Sequence, residues 1–195
     1  MGNVREHTRK LTVVGFMAAL TMILVFTPFG VIPNPVGPSL TIGHIPTILT
    51  AILFGPFMGA AVGFVFGVSL MLRAIFAPAS PISLLFIHPL ISILPRVLIG
   101  FGAGYGYILM SKLQKDVGII VGAAFGSMVN TFGVLAMLYV IYRVQVVEML
   151  DALNDVSDVM PWIWGIVTTS GVVEMVTAVV IIYPLAKVAQ KARAR

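Results

Sequence analysis

The chain has no cysteine among its 195 residues. That excludes disulfides, thiolate metal sites and cysteine nucleophiles, and it leaves the redox compartment open. Acidic residues are almost as scarce, seven in all, and none falls between Leu11 and Ser111. Across that stretch the only arginines or lysines are Arg73 and Arg96. A water-soluble domain needs far more surface charge than this. No G-x-x-x-x-G-K-[ST] phosphate loop occurs, and Gly102-x-Gly104-x-Gly106 sits inside an apolar helix where it cannot cradle phosphate. His7, His44 and His88 show no metal-ligand spacing, and Glu174 is the single acid within an apolar run. Metal-dependent and acid-base catalysis therefore have no residues to work with, and the chain reads as a non-enzyme.

What is present is apolar surface. Hydrophobic residues make up 59% of the chain and charged residues 10%, with a mean hydropathy of +1.06. At about 20 residues per span there is room for roughly five to seven crossings and for no separate soluble domain. The net charge of +5 does not indicate a nucleic-acid partner, because the cations cluster at the ends of apolar segments as topology signals do. Leu11–Phe26 follows Arg9-Lys10 as a signal peptide would, but no small-residue cleavage site follows and further apolar segments do.

Hydrophobicity predicts a single all-α membrane domain over 1–195 with six helices, the second short. The first covers about Leu11–Thr27. A loop over 28–43, with Pro28, Pro33, Pro35 and Pro38, is too broken for helix. A short helix at His44–Phe54 ends at Gly55-Pro56; it cannot cross alone and is expected to lie part-way in, packed on protein. The third helix runs over Phe57–Ile75. The fourth, Ser83–Ser111, is expected to kink at Pro89 and Pro95. The fifth covers Gly118–Tyr142 and the sixth Pro161–Ala189.

Arg5, Arg9 and Lys10 in segment 1–10, Lys112 and Lys115, and Lys187, Lys191, Arg193 and Arg195 around the tail 190–195 all fall on one side of a six-span plan. The positive-inside rule makes that side cytoplasmic, both termini included. The connection 143–160, with Glu148, Asp151, Asp155 and Asp158 against one arginine, is then external. Glycines recur every four residues at Gly55, Gly59, Gly63 and Gly67 and at Gly118, Gly122 and Gly126. Such spacing lets helix backbones approach closely, within this chain or against another subunit. Gly15 and Ala19 repeat it near the start of the first helix.

Intramembrane polar residues mark function by default. Arg96 lies 13 residues into the fourth helix, Glu174 13 into the sixth and Asn130 12 into the fifth. At 1.5 Å per residue all three reach a mid-membrane level, roughly 20 Å along their helices. Two arrangements fit: an Arg96–Glu174 pair with Asn130 as helix glue, or a shared polar pocket in which Arg96 presents a fork of donors to a carboxylate or phosphate. Arg73 is placed near the outer end of the third helix, where it either snorkels or joins the pocket. His88 and Trp162 are further candidates for the pocket wall; a structural histidine and an interfacial tryptophan are their alternatives.

The segment Gly43-His44-Ile45-Pro46-Thr47-Ile48-Leu49-Thr50-Ala51-Ile52-Leu53-Phe54-Gly55-Pro56-Phe57-Met58-Gly59-Ala60 resembles the substrate-capture (S) components of energy-coupling factor (ECF) vitamin transporters. These share an I-P-x-x-L-x-x-x-L-F-G-P-x-x-G run between a short second helix and the third. Gly15 and Ala19 look like the alanine-rich coupling motif of that family, with Gly in place of the first alanine. Leu94-Pro95-Arg96-Val97-Leu98-Ile99-Gly100 is similar to a Pro-Arg-x-x-x-Gly stretch of its fourth helix.

The resemblance implies a multi-pass protein of the cell membrane that captures a vitamin from outside. A transmembrane coupling protein (T component), contacted through Gly15 and Ala19, and two ATPase subunits that use ATP would supply the energy. This chain would carry no cofactor. The resemblance makes the 28–43 loop, with Pro33, Asn34 and Pro35, an external gate. It puts the binding site among helices four to six. Two intramembrane arginines favour an anionic ligand, and the region of helices two to four looks most like pantothenate-type members. Hydroxymethylpyrimidine, pyridoxine, folate and riboflavin are the alternatives. A stand-alone secondary transporter is disfavoured, because paired broken helices in two inverted halves are missing.

Overall fold

A computed structural model describes residues 2–27, 30–32, 40–78, 81–152 and 159–193. The elements run in the order α1 (Gly2–Phe26), β1 (Val31–Ile32), β2 (Leu40–Thr41), α2 (Ile45–Phe54), α3 (Pro56–Phe76), a 3-10 segment Pro81–Ile87, α4 (Pro89–Ser92), α5 (Leu94–Ser111), α6 (Lys115–Ala152), α7 (Val159–Ile166), a π-helical turn Val167–Gly171 and α8 (Val172–Arg193). Among the described residues the ordered elements are helical apart from the two-residue antiparallel ladder β1–β2. Five stretches of them are long and apolar enough to cross a membrane: Thr8–Phe26, Pro56–Phe76, Pro89–Ser111, Lys115–Glu148 and Met160–Ala192.

The remaining helix, α2, has 10 residues, of which Ile45 to Ile52 are buried. It starts at Pro46 in its first turn, where a missing N–H costs nothing. It stops at Gly55, the one glycine with positive φ (99°) among the described residues, a conformation that favours glycine. Pro56 then opens α3. Buried apolar side chains of α2 (Ile45, Ile48, Leu49, Ala51, Ile52) join Val25, Phe66, Leu70, Ile99, Ala103, Ile119, Ala178 and Ile182 in the larger of two cores.

Glycine sets how tightly the helices meet. A Cβ on Gly63 would strike the carbonyl of Arg96, one on Gly67 the backbone of Ser92 and Ile93, and one on Gly100 the backbone of Gly59 and Ala60. Thus α3 and α5 lie backbone on backbone. Gly122 does the same for α6, against the Ala103 carbonyl of α5, while Gly126 meets the side chains of Ala103 and Ile48. Gly15 differs: nothing lies within 4 Å of where its Cβ would be.

The expected fourth helix is broken twice. His88, with extended backbone angles (φ −74°, ψ 124°), separates the 3-10 segment from α4, and Ile93 separates α4 from α5. The first break falls directly before Pro89, as the restriction on the residue preceding a proline requires; the second falls two residues before Pro95, whose missing N–H leaves the Ile91 carbonyl without a helical donor.

The sequence-based ends of the fifth and first helices need correction. α6 has non-helical angles at Tyr142 (φ −126°, ψ 28°) but continues as helix to Ala152. Residues 143–152 are therefore helical rather than a loop. Val146 is 1% exposed and packs in the second core with Leu138, Trp162 and Ile166, so apolar contact carries the helix past the charged residues. Likewise α1 begins at Gly2 and α8 reaches Arg193, so segment 1–10 and the basic tail are largely helical extensions of their spans.

Candidate functional site

Between the two cores lies a cavity with about 800 Å³ of atom-free space, part of it open to the exterior. Its apolar walls come from both cores, Leu70 from one and Val134, Leu135 and Ile166 from the other. Its polar groups are Arg73 of α3, Ser83 of the 3-10 segment, Arg96 of α5, Asn130 and Thr131 of α6, Ser170 of the π turn, Glu174 of α8 and Thr41 of β2. Four side chains singled out in the sequence, Arg73, Arg96, Asn130 and Glu174, are brought together here.

Arg96 is 3% exposed. Its position follows from the residue before it. Pro95 has no N–H, so the carbonyl of Ile91, four residues earlier, lacks its helical donor. Nη1 of Arg96 donates to that carbonyl at 2.8 Å. The guanidinium carbon lies 5.3 Å from the ring centre of Phe86 and 5.6 Å from that of Phe66, within the ~6 Å reach of a cation–π contact. Guanidinium carries five N–H donors; Nε is buried with no bonding partner. A cation in the first turn of a helix also faces the positive end of the helix dipole, a location costing ~0.3–1 kcal/mol. Arg96 is thus a buried cation at the positive end of a helix with donors left over.

Glu174 makes no ion-pair contact with Arg96 within 4.0 Å; Lys187 and Asp116 do pair, at 2.8 Å, far along α8 and α6 from the cavity. Glu174 Oε1 instead accepts the backbone N–H of Thr41 at 2.8 Å, and Oε2 accepts the Thr131 hydroxyl at 3.5 Å. Asn130 faces the same carboxylate, and its own Oδ1 is buried with no partner. Arg73 is half-buried and donates from Nη1 to the carbonyl of Val25 in the last turn of α1. Arg73 and Arg96 against Glu174 give the lining a formal charge of +1, two cations less one anion.

The other candidates lie elsewhere. His88 is outside the cavity lining; its Nδ1 accepts the Leu90 N–H at the start of α4, and its ring meets Tyr142 edge-on at 6.0 Å. Trp162 is buried in the second core, also outside the lining. Gly15 and Ala19 are exposed on the outer face of α1. Pro33, Asn34 and Pro35 fall outside the described residues.

Sequence reasoning missed Thr41, Thr131, Phe86 and the π turn. Thr131 was within reach, being next to Asn130 at the same depth. The run Thr168-Thr169-Ser170-Gly171 of small polar residues inside an apolar span signals an irregular turn, since π-helical turns concentrate at functional positions. Nothing in the sequence could link Thr41 to a residue 133 positions away.

The described residues thus form a helical domain, apolar enough to span a membrane, with a polar cavity of net positive lining. Residues 9–186 match the family model of the ECF transporter substrate-specific component, and the chain belongs to that family. It is accordingly an integral membrane transport component and not an enzyme. Over 191 residues it is 26% identical to the pantothenate transporter PanT of Leuconostoc mesenteroides subsp. mesenteroides, covering 94% of this chain and 93% of that protein.

Proposed function

We propose that this chain captures pantothenate, or a vitamin with the same carboxylate-and-hydroxyl chemistry, from outside the cell and releases it through an ATP-driven ECF complex. The observation that carries the reading is Arg96: a buried guanidinium with unused donors, lining the cavity, with no carboxylate of the described residues in ion-pair contact. An ionised carboxylate from the ligand balances that charge and takes up the fork of donors. Asn130, with an unpartnered Oδ1, suits a ligand hydroxyl or amide N–H. Arg73 lines the same space. His88 and Trp162 act on this site only through the packing of α4 and of the second core. The likeness to PanT adds a relative whose printed function is pantothenate transport.

In this reading the helices form a six-helix plan, α2 being the embedded short one, with both termini and the Lys112–Asp116 turn in the cytoplasm. Residues 28–43 and the acidic stretch up to Met160 face outward. The exposed Gly15 and Ala19 on α1 contact a T component, and two ATPases supply energy that this chain has no means to generate. The test is calorimetry on the purified chain with pantothenate, set beside thiamine as a cation and pyridoxine as a neutral vitamer. Tight binding of pantothenate alone supports the proposal; preference for a neutral or cationic vitamin overturns it.

A further inference from the structure

Both ends of the segment joining α1 to α2 are tied to ionised groups of the cavity. Arg73 holds the Val25 carbonyl at the end of α1, and Glu174 holds the Thr41 N–H just before α2. The second tie is the informative one. Antiparallel strands of two residues each are not stable on their own, so β2 needs an external hold. In this ladder Thr41 stands opposite Val31, and the adjoining ladder bond is Ile42 N–H to the Gly30 carbonyl at 3.0 Å. Alternation along an antiparallel strand therefore turns the Thr41 N–H away from β1. It points to α8, where Glu174 Oε1 receives it.

Glu174 is set up for this contact. It follows the π turn Val167–Gly171 directly, in the first turn of α8. Gly171 lets α8 approach α6, since a Cβ there would lie 3.1 Å from the methyl of Thr131. Thr131 then donates to the other carboxylate oxygen. A carboxylate placed in one cavity with two arginines, yet in ion-pair contact with neither, gives its hydrogen bonds to the Thr41 N–H of β2 and to Thr131.

We propose that Glu174 is a latch. Through the Thr41 N–H it fixes β2 at the cavity wall and sets how long the ligand stays bound, acting as a positioning residue rather than as a partner of ligand charge. The ligand half of this statement rests on the pantothenate reading; the structural half does not.

The test uses the purified full chain with radiolabelled pantothenate as probe, and four variants: E174A, E174Q, T41P and E174A/T41P. Gln keeps a carbonyl oxygen for the N–H. Proline at 41 deletes the donor and no ladder bond. A charge-assisted bond of this kind corresponds to about a tenfold or larger rate effect. E174A and T41P should each speed dissociation by about tenfold or more, E174Q by less than about threefold, and the double variant by no more than either single change. A second readout needs no ligand: in the cysteine-free chain, Ile42→Cys should label faster in E174A and T41P than in the otherwise unchanged protein.

Equal losses in E174A and E174Q together with wild-type dissociation in T41P would overturn the latch, leaving Glu174 as a direct ligand contact. Should T41P fail to fold, the E174A and E174Q labelling rates decide: a faster rate in E174A alone supports the latch, and unchanged rates overturn it. Absence of pantothenate binding by the wild-type chain would sink the substrate reading, and the labelling comparison would still judge the latch.

Discussion

Arg96 is aimed by the carbonyl of Ile91, 2.8 Å from its Nη1, and that carbonyl is available because Pro95 brings no N–H. The Pro-Arg pair is thus one device. The proline opens a backbone acceptor, and the arginine fills it with one corner of its fork and keeps the remainder for the cavity. The rings of Phe66 and Phe86 flank the guanidinium plane, which further limits its orientations.

Removing the fork should be felt directly in affinity. A charged hydrogen bond contributes about 1.5–3 kcal/mol, so Arg96→Ala should weaken pantothenate binding roughly ten- to a hundredfold at ~1.4 kcal/mol per decade. Arg96→Lys should recover only part of this, because an ammonium cannot bond Ile91 and a carboxylate in the same planar geometry. Calorimetry on both variants, with melting curves to establish folding, is the check. Unchanged affinity in Arg96→Ala would move the search to neutral vitamers.

Pro95→Ala tests the aiming device separately from the charge. It returns an N–H to the segment, and the Ile91 carbonyl gains a backbone donor that competes with Arg96. The charge stays while its anchor weakens, so binding should fall by about three- to tenfold, or ~0.6–1.4 kcal/mol, with no loss of thermal stability. A melting point lowered along with affinity would mean that the break at Ile93 serves packing rather than aim.

The parts of this architecture that rest on hydrophobic runs and on local chemistry could be read from the sequence. The short α2 between Pro46 and Gly55, the breaks at Pro89 and Pro95, and the common depth of Arg96, Asn130 and Glu174 are of this kind. What could not be read depends on tertiary contact. Helix α6 outruns its charge boundary because Val146 finds Trp162 and Ile166. His88 turns out to cap α4, and Trp162 to fill a core, because neither choice is encoded within a few residues of the side chain. Glu174 reads as a ligand or as a partner of Arg96 until Thr41, on a strand of two residues, arrives beside it.

The glycines separate into two functional groups, and substitution should show it. Gly63→Ala drives a Cβ into the Arg96 carbonyl, so α3 and α5 must part, at about 1–3 kcal/mol. A clearly lower melting point in detergent is expected, with weakened ligand binding because Arg96 moves with its backbone. An unchanged melting point would show that the two helices have slack which their backbone contact does not suggest.

Topology gives a prediction independent of any ligand. Cysteines placed singly at Lys115 and Glu148, at opposite ends of α6, should label from opposite sides of the membrane in intact cells, Glu148→Cys from outside and Lys115→Cys only after permeabilisation. From Lys115 to the break at Tyr142 the helix alone rises about 40 Å at 1.5 Å per residue, against ~30 Å of hydrocarbon, and Glu148 lies beyond that break. Both ends therefore clear the bilayer core. Labelling of both from outside would contradict the six-helix plan.

Gly15 and Ala19 lie on the exposed face of α1, and Gly15 has open space where a Cβ would go. Among the described residues, then, no contact calls for the small size of Gly15, in contrast to Gly63, Gly67 and Gly100. Small residues four apart on a membrane helix admit a second helix at close range. Gly15→Leu and Ala19→Leu should leave folding and pantothenate affinity of the isolated chain unchanged, within about a factor of two, or ~0.4 kcal/mol. Uptake by cells that carry the complete ECF complex should fall to background, because a bulky side chain holds the T component away. Loss of affinity in the isolated chain would place these residues in internal packing instead. Normal uptake with either substitution would mean that the coupling surface lies on another helix.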